Sequence, residues 1–483
     1  MFGFAKKAIE IADKHKADFG DIRIIETRRQ TLNVKNGELG AINDSVTLGF
    51  GVRVLFNGAW GFASSDGMTS REVERVTKLA LDIAKASSTL KDKKVRLAPE
   101  PAYQDFWQTP FIIDPFSIAA EKKLDLLFAV DKILRKDTRI RSAVSGMNFI
   151  REHQWHMTTE GSRIEQVLLS SGAGYLSLAV DKGSAQVRSY PSTHGGQTLS
   201  MGYELINSLN LAENAERVRC EAVALLSAPS CPSGEKDLII SGNQLALQIH
   251  ESVGHASELD RVLGYEESYA GSSFATIEKL GKFRYASPIV NLVADATLPG
   301  GLATAGYDDD AVKAQRWHIV KDGILSGYMT NREFAGRIGQ NRSQGSCRAD
   351  GYSNIPITRI CNLSLMPGTI SYSDLIKDTK DGIIMENNKS WSIDQKRLNF
   401  QFGCEIGWLV KNGKKTTMVK NPTYQGITPE FWNSCDAIAD ENSWRLWGVA
   451  NCGKGQPPQT AMMCHGNSPS RFRKVKIGVK ASD

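Results

Sequence analysis

Four of the chain's seven Asx-Gly dipeptides adjoin β-forming runs on the pattern of a hairpin: Asn36-Gly37, Asn57-Gly58, Asp322-Gly323 and Asn412-Gly413. Each follows or joins a run of β-forming residues, such as TLGFGVRVLF before Asn57. A two-residue hairpin loop holds both central residues at positive φ, where Asn, Asp and Gly carry the least steric cost. Each dipeptide therefore predicts two neighbouring antiparallel strands. Forty-three glycines against sixteen prolines agree with a turn-rich protein of many short strands.

Between the hairpins lie stretches of helical period. Met1 to Ala17 reads as an amphipathic helix with Phe4, Ala8, Ile11 and Ala12 near one face. Residues 65 to 86 form a second, with Ser70 as its cap, and residues 116 to 136 a third. Strands are expected at 21–27, 31–34, 47–56 and 59–63, then at 141–150, 154–159, 163–169 and 173–179. A long helix follows at 211–226. Residues 227 to 236 (SAPSCPSGEK) hold two prolines and a glycine and read as a linker. A short strand at 237–241 then leads into a helix from Gln244 to about His255. The remainder is mostly strands and turns, at 289–295, 317–328, 361–366, 399–410 and 414–419. The fold class expected is α+β. An N-terminal α/β domain spans 1–226, and a β-rich C-terminal domain spans 237–483.

A chain of 483 residues buries a sizeable core without help from a metal or disulfide. Its formal net charge of +6 is a weak excess. Basic residues cluster only near the end, at Arg471, Arg473, Lys474, Lys476 and Lys480, and read as a solvated terminus. No basic face argues for nucleic acid. Eight cysteines are spread over the second half without a CxxC pair. The first residues lack the continuous apolar core of a secretory leader, and no run of about 18 apolar residues predicts a membrane span. The expected setting is a reduced cytoplasm.

One segment carries chemistry. Residues 244 to 260 read QLALQIHESVGHASELD, with His250, Glu251 and His255 in an H-E-x-x-x-H pattern. In the familiar zinc helix, H-E-x-x-H, histidines at i and i+4 share a face and the glutamate is the general base. Here one extra residue intervenes. A regular α-helix would set the two imidazoles about 140° apart, too far for one ion. A π-bulge absorbs one residue and closes that gap, and Gly254 lowers its steric cost. The alternative is a helix with two core or solvated histidines.

A third ligand decides between them. Cys452 lies in GVANCGKGQP, between an apolar stretch and a Gly-Lys-Gly turn whose N–H groups and Lys454 favour a thiolate. Lys454 and Gln456 are candidates for substrate contact. Asp308, Asp309 and Asp310 read as a solvated turn. His153 and His156 fall on opposite faces of a strand and share no ion. His318 and Cys464-His465 have no partner that spacing identifies.

HESVGH with the later NCGKGQP resembles the TldD/PmbA family of cytoplasmic metalloproteases. VKNGELGAINDSVTLGFGVRVLFNGAWGFASSD, the stretch from Ala305 to Phe334 and the run from Arg359 to Gly368 extend that resemblance over nearly the whole chain. The match is weakest at about 90 to 135. The four motif residues make the chain similar to the metal-binding, TldD-type subunit.

The resemblance implies a C-terminal domain dominated by a curved β-sheet that encloses the active site. It also implies a homodimer, or a heterodimer with a related subunit. One zinc per subunit would be held by His250, His255 and Cys452, with Glu251 as general base for hydrolysis of unfolded or small peptides. The competing possibilities are a non-catalytic partner subunit and a DNA gyrase modulator. No direct nucleic-acid or membrane contact is expected.

Overall fold

The computed structural model describes residues 1–90, 94–193 and 195–478. The four pairs read as hairpin turns have both residues at positive φ, from Asn412 at 48° to Gly37 at 82°, as that reading requires. They join antiparallel strands in every case.

The N-terminal sheet runs in the order Ala59–Ser65, Glu38–Phe56, Phe19–Lys35, Ile140–Thr158, Arg163–Asp181, with Gln104–Gln108 parallel at the far edge. Its strands are longer than expected. The pairs predicted at 21–27 and 31–34, at 141–150 and 154–159, and at 163–169 and 173–179 each fuse into one strand of 17 or 19 residues. Even-numbered residues of Phe19–Lys35 supply the covered face. Ile22 and Ile24 pack with helices Phe2–Lys14 and Ser70–Ser88, while Leu32 and Val34 pack with Ala120–Leu134 and Leu211–Ser227. Thr69, not Ser70, caps the second helix, because its hydroxyl accepts from the Glu72 N–H. The odd-numbered face carries Asp21, Arg23, Thr27 and Arg29 and looks toward the C-terminal half.

There the main sheet closes on itself. Gly234–Ile240, Ser470–Ile477, Thr423–Ile427, Asn399–Lys411 and Asp381–Ile393 are neighbours in that order, and the last pairs again with the first. The ring has one parallel seam, between Asp381–Ile393 and Gly234–Ile240. Closure removes free edges and creates an enclosed interior. That interior holds Leu238, Phe402, Tyr424 and Phe472, against which the helix Gly242–Ile249 lays Leu245 and Ile249. The fold is thus α+β, with antiparallel sheets in both halves.

Two expectations fail here for one reason. The basic tail is not a solvated terminus: Arg471 is buried in a strand of the ring and pairs with Asp436 and Asp378 at 2.8 Å. Arg473 reaches Asp237 at 2.5 Å. Lys474 and Lys476 are exposed, and Lys480 lies outside the described residues. Asp308, Asp309 and Asp310 are likewise buried, not solvated. Asp308 accepts from the N–H groups of Asp310, Val312 and Cys347. Asp309 pairs with Arg23 at 3.4 Å, and Asp310 with Arg53 at 2.9 Å. In both cases charges that look solvated along the chain meet partners distant in sequence. A buried charge is tolerable only with such a partner.

Candidate metal centre

The site begins on the first helix of the C-terminal half. Gly242–Ile249 is α-helical, His250–Gly254 is a π-turn and His255–Ser257 is a 3-10 turn. The His255 N–H donates to the carbonyl of His250, five residues back. That wider turn absorbs the extra residue of H-E-x-x-x-H and brings the ring centroids of His250 and His255 to 4.7 Å, nearly perpendicular at 78°. The distortion is held from outside. The Tyr285 hydroxyl donates to the Ser252 carbonyl, and Trp432 Nε1 donates to the Ser252 hydroxyl at 2.9 Å. Gly254 matters differently from the expectation. Its φ is an ordinary helical −56°, and what excludes a side chain is Ile360, whose Cδ1 lies 2.9 Å from where a Cβ would be.

Cys452 arrives on the hairpin Arg445–Lys454/Gln459–Asn467, whose register shifts between Val449 and Cys452. Arg359 fixes that strand by donating to the carbonyls of Cys452 and Gln459. Cys452 Sγ lies 3.5 Å from His255 Nε2. One donor atom from each of His250, His255 and Cys452 falls within 4.8 Å of the others, and all three residues are buried. Among the described residues this is the one such triad of ligating side chains.

The hydrogen bonds behind the imidazoles settle their tautomers. His465 Nδ1 lies 2.8 Å from the Leu363 carbonyl, which can only accept. That nitrogen therefore carries the proton, and neutral His465 offers a lone pair at Nε2. His250 Nδ1, 2.8 Å from it, must donate. His250 Nε2 is left as a free lone pair. His255 Nδ1 donates to Glu258 at 2.8 Å, which leaves its Nε2 free beside Cys452. Outer partners of this kind orient ligating histidines.

Electrostatics favour the same donor forms. Burial lowers the pKa of His250, His255 and His465, which favours their neutral forms. Burial pushes the Cys452 thiol up, but His255 and Arg359 outweigh it and hold it below the ordinary thiol value. Burial likewise opposes ionisation of Glu258, yet Lys454 and His255 hold its carboxyl well below the usual range. Two neutral imidazoles and an ionisable thiol suit a borderline-soft transition ion.

Glu251 is buried beside His250, with Oε2 accepting from Arg397 Nη1 at 2.6 Å. Lys454 is not placed to meet a substrate. It is buried, and its ammonium binds both oxygens of Asp260 at 2.7 and 2.8 Å and Glu258 at 3.2 Å. Gln456 is exposed and lines a separate pocket with Asp260 and Glu266. A cavity of about 390 Å³ lies between the odd face of the N-terminal sheet and the Cys452 hairpin. It reaches Asn451, but none of the three donors lines it. His153 and His156 bond separately to Glu165 and Asp21. Spacing gave no hint of His465 or Arg397. The sole local signal was Glu258 at i+3 from His255.

Known proteins resemble this chain in sequence and in fold. Residues 233–471 match the PmbA/TldA metallopeptidase C-terminal domain, and residues 20–84 match PmbA/TldA metallopeptidase domain 1. A metalloprotease of Methanocaldococcus jannaschii is 31% identical over 439 residues, covering 90% of this chain and 92% of that protein. A zinc metalloprotease TldD homolog of Saccharolobus solfataricus is 22% identical, covering 99% of each. The fold matches that of TldE from Thermococcus kodakarensis with a TM-score of 0.74 at 16% identity, over 99% of this chain and 100% of that one. It also matches a Thermotoga maritima protein described as a candidate modulator of a DNA gyrase, with a TM-score of 0.78 at 17% identity and 99% of each chain covered. No helix among the described residues is long and apolar enough to cross a membrane. With the match to a relative above 30% identity spanning nine-tenths of the sequence, the chain belongs to the TldD/PmbA family of metalloproteases.

Proposed function

We propose that the protein is a zinc-dependent peptidase that hydrolyses unfolded or small peptides. The observation that carries this reading is the convergence of His250, His255 and Cys452 beside a buried Glu251. The three side chains would hold one zinc per subunit. When bound at such a site, zinc supplies Lewis-acid polarisation of a carbonyl and of water. Glu251 takes the proton of the attacking water and delivers it to the leaving amine. His465 and Glu258 keep the two imidazoles presented in the ligating tautomer. Burial of the three donors and of Glu251 keeps bulk water from competing for these groups.

A packed domain does not fit an enclosed site, and the chain has no GxxxxGK[ST] loop to drive unfolding, so flexible peptides are the substrates. The working form is a homodimer, or a heterodimer with a related subunit. Eight free cysteines suit a reducing cytoplasm. The gyrase-modulator reading draws on the descriptions of solved proteins at 17% identity or less, and likeness at that level speaks to fold alone.

The test loads the purified protein with zinc and incubates it with unstructured peptides. We expect about one zinc per chain and new peptide ends by mass spectrometry. Glu251→Gln should keep the zinc and lose at least about 10²-fold in turnover, the usual worth of a general base. Full zinc loading with no cleavage of any peptide would sink the reading.

A further inference from the structure

The proposed reaction puts negative charge on the carbonyl oxygen as water attacks, and the ligands and Glu251 leave no donor for it. We propose that Arg397 is a further catalytic residue that pairs with Glu251 and donates a second N–H to the oxyanion of the substrate. The proposal rests on the peptidase reading.

Three observations carry it. First, the contact with Glu251 is single. Nη1 donates to Oε2 at 2.6 Å, and the ion pair is not the two-bond fork that Arg and carboxylate form when each satisfies the other. Second, Arg397 Nε is buried and has no hydrogen-bond partner. A buried donor without a partner is costly, so a site that retains one has something for it to bind. Third, the backbone holding Arg397 is strained and locked. Its φ is +62°, a region that L residues with side chains rarely adopt. The turn is fixed around it: the Asp394 carboxylate accepts from the N–H groups of Leu398 and Asn399, and the Arg397 carbonyl accepts from Thr428. Local strain held by its surroundings is a mark of functional positions.

Arg261 and Arg359 also carry a buried Nε without a hydrogen-bond partner, but among the described residues none of the other nearby cations contacts Glu251, and Arg261 donates to the Ala270 carbonyl. Lys454 binds Asp260, Glu258 and the Thr358 carbonyl. Arg359 binds the carbonyls of Cys452 and Gln459, and Arg348 those of Met462 and Ile360. Among the described residues, Arg397 is the cation that pairs with Glu251.

The step balances as follows. The water oxygen bonds to the carbonyl carbon, Glu251 takes its proton, and the C=O π electrons move onto oxygen, where the Arg397 N–H stabilises them. The π bond then re-forms, the C–N bond breaks, and Glu251 returns the proton to the amine. The same guanidinium could instead hold the carboxylate at a peptide's C-terminus. Both are oxyanions, and the experiment separates them.

Arg397→Lys and Arg397→Ala are compared with wild type at equal zinc content, on one peptide with a free C-terminus and on its amide. We expect kcat to fall by about 10²–10³-fold on both peptides, the loss seen when one oxyanion donor is removed. KM should change by less than about threefold, because the interaction forms only in the transition state. Added guanidinium should restore about tenfold of the Arg397→Ala rate, which a merely structural role would not allow. Retention of kcat within about threefold in an active enzyme, or loss without rescue in either variant, overturns the assignment while the peptidase reading stands. A KM effect confined to the free-acid peptide also overturns it and moves Arg397 to the chain end. A zinc-loaded wild type that cleaves neither peptide overturns the peptidase reading, and this role falls with it.

Discussion

At the scale of single residues, the site is set by side chains that never touch the ion position. His465 shows how. A carbonyl on one side of its ring fixes where its proton sits, and that choice passes to His250 through a 2.8 Å contact. His465→Leu should therefore weaken zinc binding by about 10–100-fold, the usual cost of losing such a partner. His465→Gln, which can still accept from His250, should recover part of the loss. Competition with a chromophoric chelator measures both, and equal affinities in all three proteins would remove His465 from the site's design. The three converging donors were legible in sequence, because His250, Glu251 and His255 lie close along the chain and Cys452 flanks a Gly-Lys-Gly stretch, although Cys452 lies in a strand and His255 and Arg359, not that stretch, lower its thiol pKa. His465 and Arg397 were not. His465 stands 215 positions from His250, and Arg397 stands 146 from Glu251. An arginine at a hairpin tip reads as solvated until the fold folds it inward. Lys454 was read by its neighbour Cys452, whereas Asp260 and Glu258 determine where it points.

At the scale of the element, the π-turn was legible from arithmetic, since i, i+5 histidines cannot share a face of an α-helix. What the period could not show is its support. The Ser252 carbonyl, displaced from regular helical pairing, is met by the Tyr285 hydroxyl inside the core. Tyr285→Phe removes that donor and leaves a buried carbonyl unpaired. It should cost about 1–3 kcal/mol in unfolding free energy. It should also lower zinc affinity, because the turn that joins His250 to His255 loosens. A change within about 0.5 kcal/mol and unaltered zinc binding would show that the turn needs no outside support. The long strands of the N-terminal sheet escaped for another reason. Arg28, Arg29 and Gln30 interrupt the apolar alternation of Phe19–Lys35 and look like a break. Yet Arg28 pairs with Asp44 and Gln30 accepts from Lys123, so the strand runs through.

At the scale of the whole molecule, the two halves meet across the odd face of that sheet, and buried charge sits at the junction. Glu152 lies there, and burial with nearby Asp309 and Asp350 raises its pKa to about 7 from an ordinary 4.5. Between those values the folded protein holds a proton that the unfolded chain has released. The stability this group contributes is complete below pH 4.5 and is lost as pH rises through 7. Glu152→Gln should therefore leave stability unchanged near pH 4 and raise it by about 1–3 kcal/mol near pH 8. Denaturant unfolding at the two pH values checks it, and an equal effect at both would show that Glu152 titrates normally. Antiparallel sheets and a mixture of helices and strands could be anticipated from turns and periods. The order of strands could not, because pairing between Gly234–Ile240 and Ser470–Ile477 spans more than two hundred residues and has no local signature.

That pairing bears on when the protein can begin to work. Synthesis proceeds from the N-terminus, and among the described residues the strand that sits between Gly234–Ile240 and Thr423–Ile427 comes last in chain order. Until Ser470–Ile477 has emerged, the ring is an open sheet with two bare edges, and the hairpin bearing Cys452 has just been formed. Contacts between segments so far apart are slow to form. The His250 turn therefore waits through 197 further residues of synthesis without its sulfur partner and without an enclosing wall. If the centre is the peptidase proposed above, assembly in this order keeps it incomplete while the nascent chain, itself an unfolded polypeptide, is still within reach.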